Sequence, residues 1–336
     1  MARIIGVVSG KGGVGKTTVV SNLSYSLRAL GYNVIAIDCN ITTPHLSHHV
    51  PSFNWHATLN DVIRGRTSIF SALHYNNGIY VVPSSPDLND LIDLDISSLR
   101  NIVQQLGNTE SFVILDSAPG LGKEALSVLE SCNEIIFVTT PQKVAVDDIL
   151  RCKKVVQEMR VKQLGVILNM SNKRKYNLTM KEIEEITGLN VIGNIFFDEK
   201  IIDSISKKSP IVKFQPYTES SDEFMKIAST ILGIPYRRQG KISRMLARLF
   251  KMKYKPKIHD YGLLMYATDN NLRTTGDKIL DLLASHKELK IGELVEKTNL
   301  SEQEIYKWGR ILYEHKLINM KPSILGIKNI KLIWND

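Results

Sequence analysis

Near its N-terminus the chain reads SGKGGVGKTT, from Ser9 to Thr18. This stretch satisfies the pattern G-x-x-x-x-G-K-[ST], in which glycines let the backbone curl around phosphate oxygens with its N–H groups pointing inward. Such a loop works only between a strand and a helix, because the N-terminus of the helix also attracts the anion. The apolar run RIIGVVS leads into the loop, and the helix-length segment TTVVSNLSYSLRAL begins at the end of the loop. The sequence therefore predicts a phosphate-binding loop in an α/β fold.

Individual positions of this loop have predicted roles in binding a magnesium nucleotide. We expect Lys16 to reach the β- and γ-phosphates and the Thr17 hydroxyl to ligate Mg²⁺. The other expected nucleotide contacts in the loop are Gly12, Gly13, Val14, Gly15 and Thr18. A second apolar run, FVILDSAPG, places Asp116 at the end of a strand, where its carboxylate can hold a magnesium-bound water. Gly120, just after it, is expected to give its N–H to the γ-phosphate.

Up to about residue 232, short apolar runs alternate with helix-length segments. The predicted strands are residues 3–9, 33–38, 79–84, 112–118, 134–140, 163–170 and 191–197. They are apolar throughout rather than alternating, which is typical of parallel strands covered on both faces. This rhythm predicts a doubly wound, mostly parallel α/β sheet with right-handed crossovers. A chain of 336 residues is long for one domain and suggests two.

The rest of the chain is built differently. TTGDKILDLLASH, IGELVEKT and LSEQEIYKWGRILYEHK are predicted helices, and LINMK and NIKLIW form a predicted terminal hairpin. Three helices and a hairpin indicate a winged helix-turn-helix domain, in which Tyr313 is expected to be a core residue. We therefore predict a P-loop domain over 1–236, a basic linker over 237–257 and a winged-helix domain over 258–336. The last contains eleven basic and eleven acidic residues, which leaves DNA binding and protein docking equally open.

The basic linker accounts for the whole net charge of +9, because it contains nine basic residues and no acidic one. Its apolar residues recur at helical spacing: Ile242, Met245, Leu246, Leu249 and Phe250. Basic residues fall on the opposite side, as in helices that lie in an anionic membrane surface. A helix docked on its own domain and a helix gripping nucleic-acid phosphate are the alternatives. The absence of acidic residues favours the membrane surface.

KGGVGKTT resembles the deviant phosphate-binding loop of the MinD/ParA family. The resemblance covers residues 1 to about 235 and continues through AIDCNITTPHL, VILDSAPGLG, GVILNM and VIGNIFFDEKIIDSISKKSPIV. Within the family, TTPHL is most similar to archaeal MinD-like proteins. The resemblance implies an ATPase that uses ATP and Mg²⁺, forms a homodimer when ATP is bound and responds to an activating protein. It also implies that the basic linker is a membrane-targeting helix, on a cytoplasmic protein that is peripheral to the inner face of the membrane.

The resemblance also assigns individual residues. It implies that Lys11 reaches across the dimer interface to the phosphates held by the partner, which makes dimerisation depend on the γ-phosphate. Asp38 joins the expected magnesium site, and Asn169 matches a position that reads the adenine edge. Many family members have D-x-D after the second strand, but here the second aspartate is Asn40. An amide can orient a water but cannot accept its proton, so we expect slow basal hydrolysis and a long-lived ATP-bound dimer.

Two other functions fit parts of the sequence. A DNA-binding, ParA-like partitioning factor or a nucleotide-responsive transcriptional regulator would use the basic linker on nucleic-acid phosphate. A carrier of iron–sulphur clusters, as in other branches of the family, would need paired cysteines at the dimer axis. Cys39, Cys132 and Cys152 have no such spacing, so the sequence argues against the carrier.

Overall fold

The structure is a computed structural model with two compact units, Met1–His259 and Asp260–Asp336. The described residues are 2–51, 55–109, 111–172, 174–236, 279, 282–283, 285–298, 301–303, 305–306, 309, 313, 318–321, 323 and 327–334. The predicted basic linker, including Ile242, Met245, Leu246, Leu249 and Phe250, lies outside these residues. Its helix and its membrane contact therefore stay predictions, as do the three domain boundaries.

The first unit contains an eight-stranded sheet. Its strands are β1 (Arg3–Val8), β2 (Asn33–Cys39), β3 (His74–Asn76), β4 (Ile79–Val82), β5 (Ser111–Ser117), β6 (Glu134–Thr139), β7 (Lys162–Ser171) and β8 (Val191–Phe196). The strand order is β3-β4-β2-β5-β1-β6-β7-β8. Every neighbouring pair is parallel except β3 and β4, which are antiparallel. The predicted fold class is confirmed, and all seven predicted strands are present.

Helices connect the strands. They are α1 (Lys16–Ala29), α2 (Leu46–His49), α3 (Leu59–Ile63), α4 (Leu99–Gln104), α5 (Lys123–Ser131), α6 (Lys143–Glu158), α7 (Met180–Thr187), α8 (Glu199–Ser206), α9 (Ile211–Phe214) and α10 (Glu219–Leu232). None of the described helices is long and apolar enough to cross a bilayer.

The central strand β1 shows why the strands are apolar throughout. Ile4 and Val8 belong to one buried core cluster, whereas Ile5 and Val7 belong to another. Successive side chains of a strand point to opposite faces, so β1 separates two cores and has no solvent-facing side. Because these strands are parallel, their C-terminal ends lie at one edge of the sheet. The loops that follow β1, β2 and β5 meet at this edge.

The sequence analysis missed β3. This strand forms a hairpin with β4 through Asn77 and Gly78, whose φ angles are 49° and 109°. Two consecutive positive φ values match the two-residue turn that joins antiparallel strands, and Asn-Gly is the preferred pair there. The Asn-Gly pair between LHY and IYVV was the signal that identifies this hairpin.

The second unit has its own small sheet, formed by β9 (Glu288–Lys290), β10 (Ile318–Lys321) and β11 (Lys331–Trp334), with α11 (Ile291–Thr298) between the first two. The order is β10-β11-β9 and both pairs are antiparallel, so the predicted hairpin is confirmed and β9 is an additional strand. Its core includes Leu289, Ile305 and Leu332. Tyr313 is 49% exposed and is not a core residue, contrary to the prediction. The winged-helix assignment stays a prediction.

We predict that a methyl group added at Gly193 in β8 destabilises the first unit. A Cβ there would lie 2.3 Å from Cγ1 of Ile227, a fully buried residue of α10, so helix and sheet would have to separate slightly. Overpacking of this kind costs about 2 kcal/mol. Gly193→Ala should lower the free energy of unfolding by that amount in urea denaturation. Gly107→Ala is the matched control, because a Cβ at Gly107 meets nothing within 4 Å. Equal stability of the two variants would contradict this packing.

Candidate functional site

The phosphate-binding loop connects β1 to α1 at the carboxyl edge of the sheet, as its sequence predicted. Gly15 has φ of 90°, and a Cβ there would lie 2.2 Å from Nδ2 of Asn169, so only glycine fits this position. At Gly13 an added Cβ would meet nothing within 4 Å, and at Gly12 the nearest atom is 3.9 Å away. Both glycines are exposed, whereas Val14 is buried. The inner side of the loop is therefore anchored on β7, and the Gly12–Gly13 side is open to a ligand.

Lys16 is a buried cation that forms no ion pair with a carboxylate in the part of the chain that the structure describes. Its Nζ donates to Ser9 Oγ at 3.0 Å, its only hydrogen bond among the described residues, and Ser9 Oγ donates in turn to the Lys11 carbonyl at 2.8 Å. Burial lowers the pKa of Lys16, and the charge of Asp116 opposes that shift. Burying an ammonium group beside a neutral hydroxyl is costly. The position therefore fits an anionic ligand such as a phosphate.

Two carboxylates lie side by side next to the loop. Asp38 on β2 and Asp116 on β5 are paired in the register of the two strands, and both are fully buried. Asp38 accepts hydrogen bonds from the backbone N–H groups of Asn40, His45 and Leu46 at 3.2, 3.0 and 2.9 Å. Its carboxylate therefore organises the loop after β2, and its role as a magnesium ligand stays a prediction.

Asp116 is the unsatisfied member of this pair. Neither of its oxygens forms a hydrogen bond of normal distance and angle in the described part of the chain. Burial raises the pKa of Asp116 to about 6, opposed in part by the nearby Thr17 hydroxyl and the Lys16 charge. A divalent cation beside Asp116 and Thr17 would supply the missing positive charge. These two residues therefore fit the predicted magnesium site.

Asn40 is already engaged by its own loop. Its Nδ2 donates to the Thr43 carbonyl at 2.5 Å, and its Oδ1 accepts from the Thr43 hydroxyl at 3.1 Å. An aspartate could not donate the first of these bonds, which explains why an amide suits this loop. The predicted role of Asn40 in orienting a water stays a prediction.

Two other predicted contacts are also occupied in this structure. The Gly120 N–H donates to the Ser9 carbonyl at 2.9 Å, so it would have to leave Ser9 before it could bind a γ-phosphate. Asn169 donates through Nδ2 to the Val14 carbonyl at 2.8 Å and is 2% exposed. It supports the loop here, and its reading of the adenine edge stays a prediction.

The remaining predicted residues of the loop lie around Lys16. Lys11 extends from the exposed front of the loop, and Thr18 is buried in the first turn of α1. The exposure of Lys11 is compatible with a contact to another subunit, whereas Lys16 is buried within its own loop.

The sequence analysis missed two contacts of the site. Ser9, which precedes the glycines, holds Lys16 through its hydroxyl. Thr42, in the loop after β2, donates through its hydroxyl to Oε1 of Glu124 in the first turn of α5. The second contact joins residues far apart in the chain, and no local pattern indicates it.

We predict that Asp116 makes the ligand-free chain less stable as the pH rises. The raised pKa means that the folded chain binds this proton more tightly than the unfolded chain, so the free energy of unfolding falls between about pH 4 and pH 6. Relative to wild type, Asp116→Asn should gain about 2 to 3 kcal/mol between pH 4 and pH 7. Urea denaturation in EDTA without nucleotide measures this difference. The surface variant Asp203→Asn is the control, and parallel pH curves for wild type and Asp116→Asn would contradict the prediction.

Comparisons with known proteins identify the family of this chain. Residues 5–211 match the family model of the CobQ/CobB/MinD/ParA nucleotide binding domain. An uncharacterised ATP-binding protein of Methanocaldococcus jannaschii is 28% identical over 253 residues, which cover 75% of this chain and 96% of the relative. The septum site-determining protein MinD of Bacillus subtilis is 28% identical over 243 residues, covering 69% of this chain and 90% of the relative.

A solved structure gives the same result. MinD of Pyrococcus horikoshii, complexed with Mg-ADP, has a TM-score of 0.67 and 29% identity, and the match covers 69% of this chain and 96% of that chain. Because these relatives are matched over nearly their whole length, about a quarter or more of this chain has no counterpart in them. The family model spans more than half of the chain, and the predicted resemblance is confirmed: the chain belongs to the CobQ/CobB/MinD/ParA nucleotide binding domain family.

Proposed function

We propose that the protein is an ATP-dependent molecular switch of the MinD/ParA type, which dimerises around ATP and Mg²⁺ and hydrolyses ATP slowly until a partner protein activates it. The observation that carries this proposal is the buried Lys16, whose only described hydrogen-bond partner is a neutral hydroxyl. A phosphate would satisfy this cation, and the open glycines Gly12 and Gly13 would present their N–H groups to the same phosphate.

The metal belongs to the same proposal. When bound, Mg²⁺ would neutralise phosphate charge and be held by the Thr17 hydroxyl and, directly or through water, by Asp116. Asp38 lies beside Asp116 and holds the loop after β2 in place through three backbone amides. The P. horikoshii relative was solved with Mg-ADP, and the M. jannaschii relative is named as ATP-binding. Both support the assignment of the ligand.

Dimerisation follows from having two lysines in one loop. Lys16 is buried and reaches only the phosphates of its own loop, whereas Lys11 is exposed. A second copy that faces this loop could place its own Lys11 against the γ-phosphate, the most negative part of the bound nucleotide. Loss of the γ-phosphate would weaken that attraction, so the dimer would form with ATP and dissociate with ADP.

The dimer would then control where the protein resides. One short basic amphipathic helix binds an anionic membrane weakly, whereas two on one dimer bind more tightly because the second contact is intramolecular. The basic linker, with its nine basic residues and no acidic one, supplies that helix in this proposal. The protein would act as a positioning switch on the inner face of the membrane, and its C-terminal unit would recruit DNA or a protein.

We predict that Lys11→Ala separates dimerisation from nucleotide binding. Wild type should be a monomer with Mg-ADP and a dimer with Mg-ATP in analytical ultracentrifugation. In the variant the dimer dissociation constant should rise by at least about tenfold, equivalent to about 1.4 kcal/mol, because each γ-phosphate loses a cation. ATP affinity of the monomer should change by less than about threefold. Lys154→Ala, which removes an exposed lysine of α6, should behave as wild type. A wild type that stays monomeric at saturating ATP contradicts the switch.

We predict that membrane binding depends on ATP and on the apolar face of the basic linker. Vesicles containing phosphatidylglycerol should recruit the protein about tenfold more with ATP than with ADP, because only the dimer presents two helices. The double variant Leu246→Glu/Leu249→Glu should lose recruitment and still bind ATP. Phosphatidylcholine vesicles are the lipid control. Equal recruitment with both nucleotides would contradict the proposal, and ATP-dependent binding to duplex DNA without lipid would favour the ParA-like partitioning factor or transcriptional regulator.

A further inference from the structure

Glu124 has one oxygen bound and one oxygen free in a buried position. It lies in the first turn of α5, directly after the loop that follows β5. Its Oε1 accepts a hydrogen bond from the Thr42 hydroxyl. Its Oε2 is buried and has no hydrogen-bond partner in the described ranges of the chain. A buried carboxylate oxygen without a donor is costly, so this position calls for a water or a ligand atom.

The two loops that meet at Glu124 are also the loops that border the phosphate-binding loop. Thr42 is part of the loop that Asp38 organises, and the loop before α5 is attached to the phosphate-binding loop through the bond from Gly120 N–H to the Ser9 carbonyl. The contact between Thr42 and Glu124 therefore places this carboxylate where the loops after β2 and β5 meet.

A carboxylate that orients the attacking water and takes its proton would speed the proposed hydrolysis, and the other side chains near these loops are less suited to this task. Asn40 cannot accept a proton, and its amide is engaged by Thr43. Asp38 is bound by three backbone amides, and Asp116 fits the metal. Among the acidic side chains described around the loops after β2 and β5, Glu124 retains a free oxygen for this role.

We propose that Glu124 is the catalytic carboxylate of this ATPase: its Oε2 holds the attacking water and accepts the proton of that water. This rests on the proposed function. The water oxygen forms a bond to the γ-phosphorus, and the bond from the γ-phosphorus to the bridging oxygen breaks, leaving its electron pair on ADP. The proton passes to Glu124 and from there to the released phosphate, so the carboxylate is regenerated.

A structural role for Glu124 is the competing explanation. A carboxylate in the first turn of a helix stabilises that helix by about 0.5 kcal/mol, and the Thr42 contact joins two loops. Glu124→Gln separates the two roles, because the amide oxygen can still accept from Thr42 while the proton-accepting carboxylate is gone. Thr42→Val does the opposite, since it removes the contact and leaves the carboxylate intact.

The experiment measures single-turnover cleavage of ATP by the full chain, alongside ATP affinity and ATP-dependent dimerisation. Glu124→Gln should lower the cleavage rate at least about 100-fold, the usual contribution of a general base, with ATP affinity and dimerisation within about threefold of wild type. Thr42→Val should lower the rate by no more than about tenfold. Glu130→Gln, an exposed glutamate on the same helix, is the matched control and should not change it.

Several results would overturn this assignment. One is a Glu124→Gln variant that cleaves ATP at the wild-type rate. Another is a loss of cleavage that only parallels a loss of ATP affinity, and a third is a larger effect of Thr42→Val than of Glu124→Gln. A wild type that binds ATP and dimerises but never cleaves it would overturn the role of Glu124 while the switch stands. A wild type that binds no ATP would overturn both proposals.

Discussion

The structure depends on a mismatch of buried charge at the carboxyl edge of the sheet. Lys16 is buried against a neutral hydroxyl, and Asp116 is buried without a hydrogen-bond partner of full geometry among the described residues. No ion pair among the described residues neutralises either charge, although the two charges attract each other enough to influence both pKa values. A phosphate with a divalent cation would satisfy both at once. Binding of such a ligand would stabilise the fold by an amount that grows with the logarithm of ligand concentration above the Kd. It would also shift the balance between two states of the protein if it bound one of them more tightly.

Three contacts connect this charged centre to the loops around it. The Gly120 N–H is bound to the Ser9 carbonyl, Asp38 holds the loop after β2 through backbone amides, and Thr42 bridges to Glu124. Each contact uses a group that a nucleotide or a water could claim instead. Ligand contacts at any of these groups would therefore exchange an internal hydrogen bond for an external one. Such an exchange is how a small change at one phosphate can move whole loops.

The sequence predicts those parts of the fold and the site that leave a local pattern of residue types. Strands covered on both faces read as continuous apolar runs, and the phosphate-binding loop reads as glycines at fixed spacing, so the sheet and the loop were predicted correctly. The missed strand β3 also had a local signal, the pair Asn77 and Gly78, but its three residues are too few for periodicity to show. The occupied states of Gly120 and Asn40, and the contact between Thr42 and Glu124, have no local signal. They depend on which loops the sheet order brings together, which only the tertiary structure shows.

The same electrostatics favours an amide over a carboxylate at position 40. An aspartate there would add a third carboxylate beside Asp38 and Asp116, whose pKa values burial already raises, and mutual repulsion would raise them further. It would also lose the bond that Asn40 donates to the Thr43 carbonyl. In the proposal, a carboxylate on α5 leaves the Asn40 bond intact, because Glu124 belongs to a different element and lies in the first turn of a helix, where negative charge is favoured. In the proposed mechanism, hydrolysis would depend on the relative position of two loops rather than on one. A partner protein that moves either loop would then control the lifetime of the ATP-bound state.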